Sequence, residues 1–145
     1  MHARVLATVS LAFAALLGAS PTPGQTPRPA VVVKASSFGR ILFDGRGFVL
    51  YAFTRDPRGR SACRGACARA WPPYIAKSRP LAGSGVAAGR LGTTRRADGS
   101  AQVTYAGRPL YYYVGDRKPG QILCQDVTEF GGVWRVVRPS GRLVR

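Results

Sequence analysis

The feature that most constrains this chain is a self-similarity at an offset of sixty residues. Leu50-Tyr51-Ala52-Phe53-Thr54-Arg55-Asp56-Pro57 lies over Leu110-Tyr111-Tyr112-Tyr113-Val114-Gly115-Asp116-Arg117. Tyr51 aligns with Tyr111, Phe53 with Tyr113 and Asp56 with Asp116. Upstream, each copy carries an apolar run and a Gly-containing turn. Downstream, each has a glycine, a cysteine (Cys63, Cys124) and then a tryptophan (Trp71, Trp134). Ordered self-similarity of this kind marks a duplicated structural unit.

The shared pattern, Tyr-x-aromatic-x-x-Asp, has a direct physical reading. Residues i and i+2 of a strand face the same way, so Tyr51 and Phe53 bury two rings side by side, as do Tyr111 and Tyr113. The aspartate comes where the strand ends, placed to accept turn amides or a phenol proton. Two half-units that each present an aromatic face cover one another, because two layers around a core are the stable arrangement. Around these motifs run short apolar or aromatic segments separated by turn signals. Ile41-Leu42-Phe43 passes through Asp44-Gly45-Arg46-Gly47 into Phe48–Phe53, a hairpin signal. Asp98-Gly99 introduces Ala101–Tyr105, Ala106-Gly107 leads into Pro109–Val114, Gly131-Gly132 into Val133–Val137, and Pro139-Ser140-Gly141 into Leu143-Val144. This spacing predicts an all-β fold of short, mainly antiparallel strands. One short helix is expected around residues 61–71, where Ser61 can cap an Ala-rich stretch that Pro72 and Pro73 end. Residues 78–90 read as a loop.

The N-terminal segment reads differently. Arg4 precedes an uncharged apolar run, Val5–Leu17, and then the small residues Gly18, Ala19 and Ser20. This is the form of a signal peptide over residues 1–20, too short to span a bilayer comfortably, with cleavage expected between Ala19 and Gln25. Pro21, Pro23, Pro27 and Pro29 make residues 21–30 an extended linker. Residues 31–145 are then one β-rich domain of two repeats, about 38–78 and 98–138, with Val31-Val32-Val33 as its first strand. The expected location is periplasmic or extracellular. Leu17-Gly18-Ala19 is followed by Ser20 and not cysteine, so a lipid anchor has no attachment point, and no other segment is long and apolar enough to cross a membrane.

Export would also narrow the chemistry. His2 is the only histidine and Met1 the only methionine, so a chain starting near residue 21 has neither. That excludes His-based acid–base catalysis, Ser-His and Cys-His nucleophile pairs, haem ligation by His or Met and the usual copper sites. No cofactor and no metal is implied, and no catalytic residue is assigned. Removing residues 1–20 takes away one base, Arg4, of the 22, and none of the 6 acids, leaving a net charge of +15. Three of the bases are lysines (Lys34, Lys77, Lys118) and the rest arginines, scattered along the chain, with no specific nucleic-acid motif. Such a charge favours anionic partners such as lipid headgroups, envelope polymers or nucleic acid.

Among the acids, Asp44 and Asp98 belong to Asp-Gly turns. Asp56 and Asp116 are the two placed alike in both repeats; turn and tyrosine anchoring explains them more simply than a paired-carboxylate hydrolase would. Six tyrosines are a high density, and Tyr112 points away from its neighbours. One face of that stretch is core, and the other is either plain sheet surface or a stacking platform beside arginines. Three cysteines leave three pairings open: Cys63–Cys67, Cys63–Cys124 and Cys67–Cys124. Cys63 and Cys67 are one helical turn apart on one face.

Taken together these motifs resemble the bacterial secreted-repeat proteins, often predicted lipoproteins, that are named for a Tyr-x-(Phe/Trp/Tyr)-x-x-Asp motif. Tyr51-x-Phe53-x-x-Asp56 and Tyr111-x-Tyr113-x-x-Asp116 match it. Cys63-Arg64-Gly65-Ala66-Cys67-Ala68-Arg69-Ala70-Trp71-Pro72-Pro73, Gly107-Arg108-Pro109-Leu110-Tyr111 and Gly131-Gly132-Val133-Trp134 are similar too. The resemblance covers about residues 38–145. It implies an extracytoplasmic location and tandem repeats, and it favours a Cys63–Cys67 disulfide, but it supplies no activity. The chain departs from the family by lacking the lipobox cysteine and by carrying Cys124. The resulting expectation is a non-enzymatic envelope module that binds an envelope component or polyanion, or an anionic membrane surface, through a basic, Tyr-rich surface. A redox or thiol-linked accessory using Cys63, Cys67 and Cys124 is the alternative.

Overall fold

The computed structural model describes residues 28–145. The expected signal peptide and most of the expected linker lie outside the described residues. The fold is mostly short strands, with one short helix, arranged in three small sheets. β1 (Ala30–Ser36) and β2 (Gly39–Asp44) form an antiparallel hairpin, with β4 (Leu81–Ala82) added parallel to β1 after β3 (Tyr51–Phe53) and α1 (Ala66–Ala70). β5 (Leu91–Arg95), β6 (Ala101–Tyr105) and β7 (Arg108–Pro109) form a second antiparallel sheet. β8 (Val127–Glu129) and β9 (Gly132–Val136) join β3 in the third, with β9 in the middle.

The turn chemistry accounts for most of these connections. Asp44 Oδ1 accepts the N–H of Arg46 and of Phe48, both at 2.9 Å, which closes the Asp44-Gly45 turn. Asp98 does the same for Ser100 between β5 and β6. The β6–β7 and β8–β9 connections are two-residue turns with both central residues at positive φ. They are Ala106-Gly107 (50° and 75°) and Phe130-Gly131 (54° and 76°), the geometry that matches the twist of paired strands.

Three expectations are corrected. The hairpin at Asp44-Gly45 is shorter than Phe48–Phe53 suggested. It pairs only as far as Leu50, whose N–H donates to Leu42 O. Beyond that point β3 leaves β2 and pairs with β9, Tyr51 opposite Val136 and Phe53 opposite Trp134. The helix is only five residues long, and its N-cap is Gly65 rather than Ser61. Ser61 is drawn inward because its hydroxyl is needed by Tyr111, 2.7 Å away. Residues 78–90 are mostly loop as read, but they include β4 and one turn of 3-10 helix at Ala88–Arg90.

The pairing also shows how the repeats are joined. Leu42 N–H donates to Val137 O, so the segment after Trp134 completes the sheet of the first repeat. Val103 N–H donates to Tyr74 O, and Pro73 bridges Tyr111, so the segment after Trp71 completes the sheet of the second. Each repeat therefore lends its last strand to the other. The two also meet directly: Tyr51 and Tyr111 exchange both backbone hydrogen bonds, each at 2.9 Å.

Strands here have core on both faces. Ile41, Phe43, Tyr51 and Phe53 enter one buried cluster with Trp71, Tyr111 and Trp134. Leu42, Leu50 and Ala52, at the alternate positions, enter a second with Val103, Tyr105 and Leu110. Burial on both faces is why Ile41–Phe43 and Val49–Phe53 read as unbroken apolar runs rather than as alternation.

Candidate functional site

The repeat motif builds the centre of the molecule. In both copies the aspartate ends a four-residue turn: Asp56 N–H donates to Phe53 O and Asp116 N–H to Tyr113 O, each at 3.1 Å. The turn sets each carboxylate to accept a backbone N–H from the loop that follows, Asp56 from Ala62 at 2.7 Å and Asp116 from Leu123 at 3.0 Å. The other carboxylate oxygen, Oδ2, takes a phenol from the other repeat. Tyr51 donates to Asp116 and Tyr111 to Asp56, both at 2.7 Å. The carboxylate is the stronger acceptor for the Tyr111 proton, which leaves Ser61 able to donate to the phenol oxygen. Burial outweighs these hydrogen bonds and holds both aspartates above the ordinary carboxylate range. Tyr51 and Tyr111 are raised far above an ordinary phenol, by burial first and then by their aspartates. With each carboxylate committed to a phenol and an amide, the pair does not form a shared acid–base centre.

The two tryptophans, noted in the sequence only as repeat markers, form the structural heart of this site. Trp71 and Trp134 stack with centroids 4.0 Å apart and planes within 3°. Phe53 stacks on the far side of Trp134 at 4.2 Å, and Tyr113 leans on Trp71 at 4.8 Å. Tyr51 meets Trp71 edge-on, and Tyr111 meets Trp134 in the same way. All six rings thus come in repeat-related pairs, and Glu129 accepts the Trp71 indole N–H at 2.8 Å.

The cysteines follow the same symmetry. Cys63 comes directly after Ala62 and Cys124 directly after Leu123, the two residues whose amides the motif aspartates hold. Cys63 is closed in a disulfide with Cys67, and Cys124 is a free, half-buried thiol. The disulfide is buried. Burial pushes the Cys124 thiol up, with Tyr113 opposing. A reactive thiol needs a lowered pKa and access, and neither environment provides both.

A family profile described as a secreted repeat of unknown function matches residues 32–74 and, separately, residues 92–138, more than half of the chain. The chain belongs to this secreted-repeat family. No curated protein and no solved structure matches it. The two matched stretches each contain one Tyr-x-aromatic-x-x-Asp copy, so the family's repeat is the unit that exchanges strands here. The family is described as secreted, and no helix among the described residues is long and apolar enough to cross a membrane.

The surface of this secreted repeat is not rich in tyrosine. Tyr51, Tyr74, Tyr105 and Tyr111 are buried. Tyr112 is half-buried and donates to Asp44 at 3.0 Å, and only it and Tyr113 reach solvent in part. The expected aromatic platform is therefore largely spent in the core, where Tyr51, Tyr74, Tyr105, Tyr111 and Tyr112 each donate to an acceptor within the fold. All six acids are also engaged. Asp44 takes Arg46 and Tyr112, Asp98 takes Ser100, Asp126 takes Arg135 and Glu129 takes Trp71, beside the two motif aspartates. Only two of these contacts are ion pairs, Arg46–Asp44 and Arg135–Asp126, among the described residues.

Proposed function

We propose that this secreted repeat is a non-enzymatic, envelope-associated binding module whose ligand is an anionic component of the envelope or an anionic polymer. The observation that carries this reading is the use made of the charges. The six acids are engaged in turns, phenol and indole contacts and two ion pairs, while most of the arginines are exposed. A surface with that imbalance concentrates anions around it. Two interlocked repeats around an aromatic column supply a rigid scaffold for it. Residues 1–20 act as the export signal in this reading, residues 21–30 as a spacer and residues 31–145 as the module, with no lipid anchor at Ser20.

The test is retention of the exported protein on heparin or on anionic liposomes as salt is raised. Retention is expected to fall steeply between low and physiological salt, because exposed charge interactions are screened over about 10 Å at 0.1 M. Retention that does not change with salt, or no retention at low salt, would overturn the reading.

A further inference from the structure

We propose that the groove lined by Arg108, Arg135, Arg138, Arg142 and Arg145 binds a soluble chain of phosphate groups. This deepens the reading above and rests on it. The groove has a volume of about 730 Å³, larger than the 420–500 Å³ of the other described clefts. Four of its five arginines lie within residues 135–145, and Arg108 joins them from the second sheet. They converge because β9 and the C-terminal hairpin pack beside the β6–β7 turn.

The backbone holds this charge in place. Arg138 N–H donates to Arg142 O and Gly141 N–H to Arg138 O, both at 2.8 Å, closing a turn through Pro139 and Ser140 with Arg138 and Arg142 on its two arms. Like charges facing across a hairpin are destabilising, and Asp126, on Arg135, is the one carboxylate that contacts any of the five among the described residues. An anion in the groove relieves that repulsion. Arg108 donates its Nε to Gly141 O at 3.0 Å, and Arg135 donates its Nε to Asp126 at 2.6 Å. Both guanidinium groups are thereby anchored with their terminal N–H donors unspent, and such donors suit the paired oxygens of phosphate.

The lining also discriminates among anions. No aromatic ring lines the groove, so bases have nothing to stack on. Leu143 is its one large apolar side chain, too little to anchor a lipid surface. Several cations spread along an open groove suit repeated phosphates better than a single ion.

The experiment measures binding of inorganic polyphosphate to the whole exported protein against salt, with orthophosphate and phosphatidylglycerol vesicles as parallel arms. The pair Arg138→Glu/Arg142→Glu is compared with Arg117→Glu/Lys118→Glu, an equal charge change at an exposed site outside the groove. Arg138→Gln/Arg142→Gln guards against misfolding by charge reversal, and near-ultraviolet circular dichroism checks each fold. Polyphosphate affinity is expected to fall at least tenfold in the groove variants and less than twofold in the control. The slope of log affinity against log salt should lose about 1.4 units, from about 0.7 per contact on a single-stranded polyanion. Equal losses in groove and control variants would overturn the groove and leave the general basic-surface reading standing. Groove-dependent binding of vesicles without polyphosphate would overturn the soluble chain in favour of a headgroup. No binding of any polyanion by the unmodified protein would overturn both readings.

Discussion

Tyr51 reaches across the repeat boundary to Asp116, its hydroxyl 2.7 Å from the carboxylate and 65 residues away in sequence, and Tyr111 makes the mirrored reach to Asp56. The spacing of the motif follows from this contact. The strand carries Tyr and the second aromatic on one face, the turn brings the aspartate round to the next loop, and the carboxylate then has its second oxygen free for the other repeat's phenol. A motif that looks local in sequence is an instruction for pairing two copies.

Removing one of these phenol hydroxyls should therefore cost more than an ordinary hydrogen bond. Tyr51→Phe leaves Asp116 with the Leu123 amide alone in a buried site. Hydrogen bonds to charged groups contribute about 1.5–3 kcal/mol, and a loss in that range is expected from urea denaturation at neutral pH. In the double variant with Asp116→Asn the two losses should be non-additive, because they remove one shared contact. Additive losses would mean that the pair does not interact.

This contact was half legible in the sequence. The motif residues, the shared aromatic face and a phenol–carboxylate role could be read from period-2 geometry and turn chemistry. The crossing between repeats could not, because nothing in Tyr51 or Asp116 says which copy is the partner; strand exchange decides that. Trp71 and Trp134 stood in equivalent places, yet no local pattern says that equivalent rings stack on each other. The short strand Leu91–Arg95 is half-exposed and rich in Gly, Thr and Arg, so it lacked an apolar signal. Arg135, Arg138, Arg142 and Arg145 are close in sequence, but nothing local says that Arg108 joins them or that they line one groove; the contact of Arg108 with Gly141 decides that.

The tryptophan stack gives a spectroscopic prediction. Two parallel indoles 4.0 Å apart couple their transitions, so the native protein should show a circular dichroism couplet from that pair. Either Trp71→Phe or Trp134→Phe should abolish the couplet, while the backbone spectrum is kept. Truncation to alanine at either position empties a fully buried site and should cost about 3–5 kcal/mol. A couplet that survives both single phenylalanine variants would contradict the stacking.

Strand exchange predicts that neither repeat folds alone. A fragment of residues 28–87 lacks the strand that pairs with Tyr51–Phe53, and a fragment of residues 88–145 lacks Pro73 and Tyr74, which pair with Tyr111 and Val103. Each alone should show no cooperative thermal transition. Mixed in equal amounts they should recover one, with a midpoint that rises with concentration. A cooperative transition in either fragment by itself would show that the unit is self-sufficient.

The buried phenols set the response to alkali. Burial, followed by nearby carboxylates, holds Tyr51, Tyr111 and Tyr112 far above the ordinary value near 10, and burial pushes Tyr74 up to about 12. A group whose folded pKa is raised keeps its proton in the fold where the unfolded chain has lost it. The stability it contributes is thus complete below about pH 10 and is lost as pH rises towards the folded values. Asp56 and Asp116 are raised as well, so their contribution has the same sign. It is complete below about pH 4 and diminishes as pH rises, so these two aspartates do not drive acid unfolding. In a spectrophotometric titration near 295 nm, Tyr51, Tyr74, Tyr111 and Tyr112 should ionise together with loss of the near-ultraviolet signal above pH 10. In urea, all six tyrosines should instead titrate near 10. Six phenols ionising near pH 10 with the native spectrum intact would show that the Tyr51–Asp116 and Tyr111–Asp56 contacts are not closed in solution.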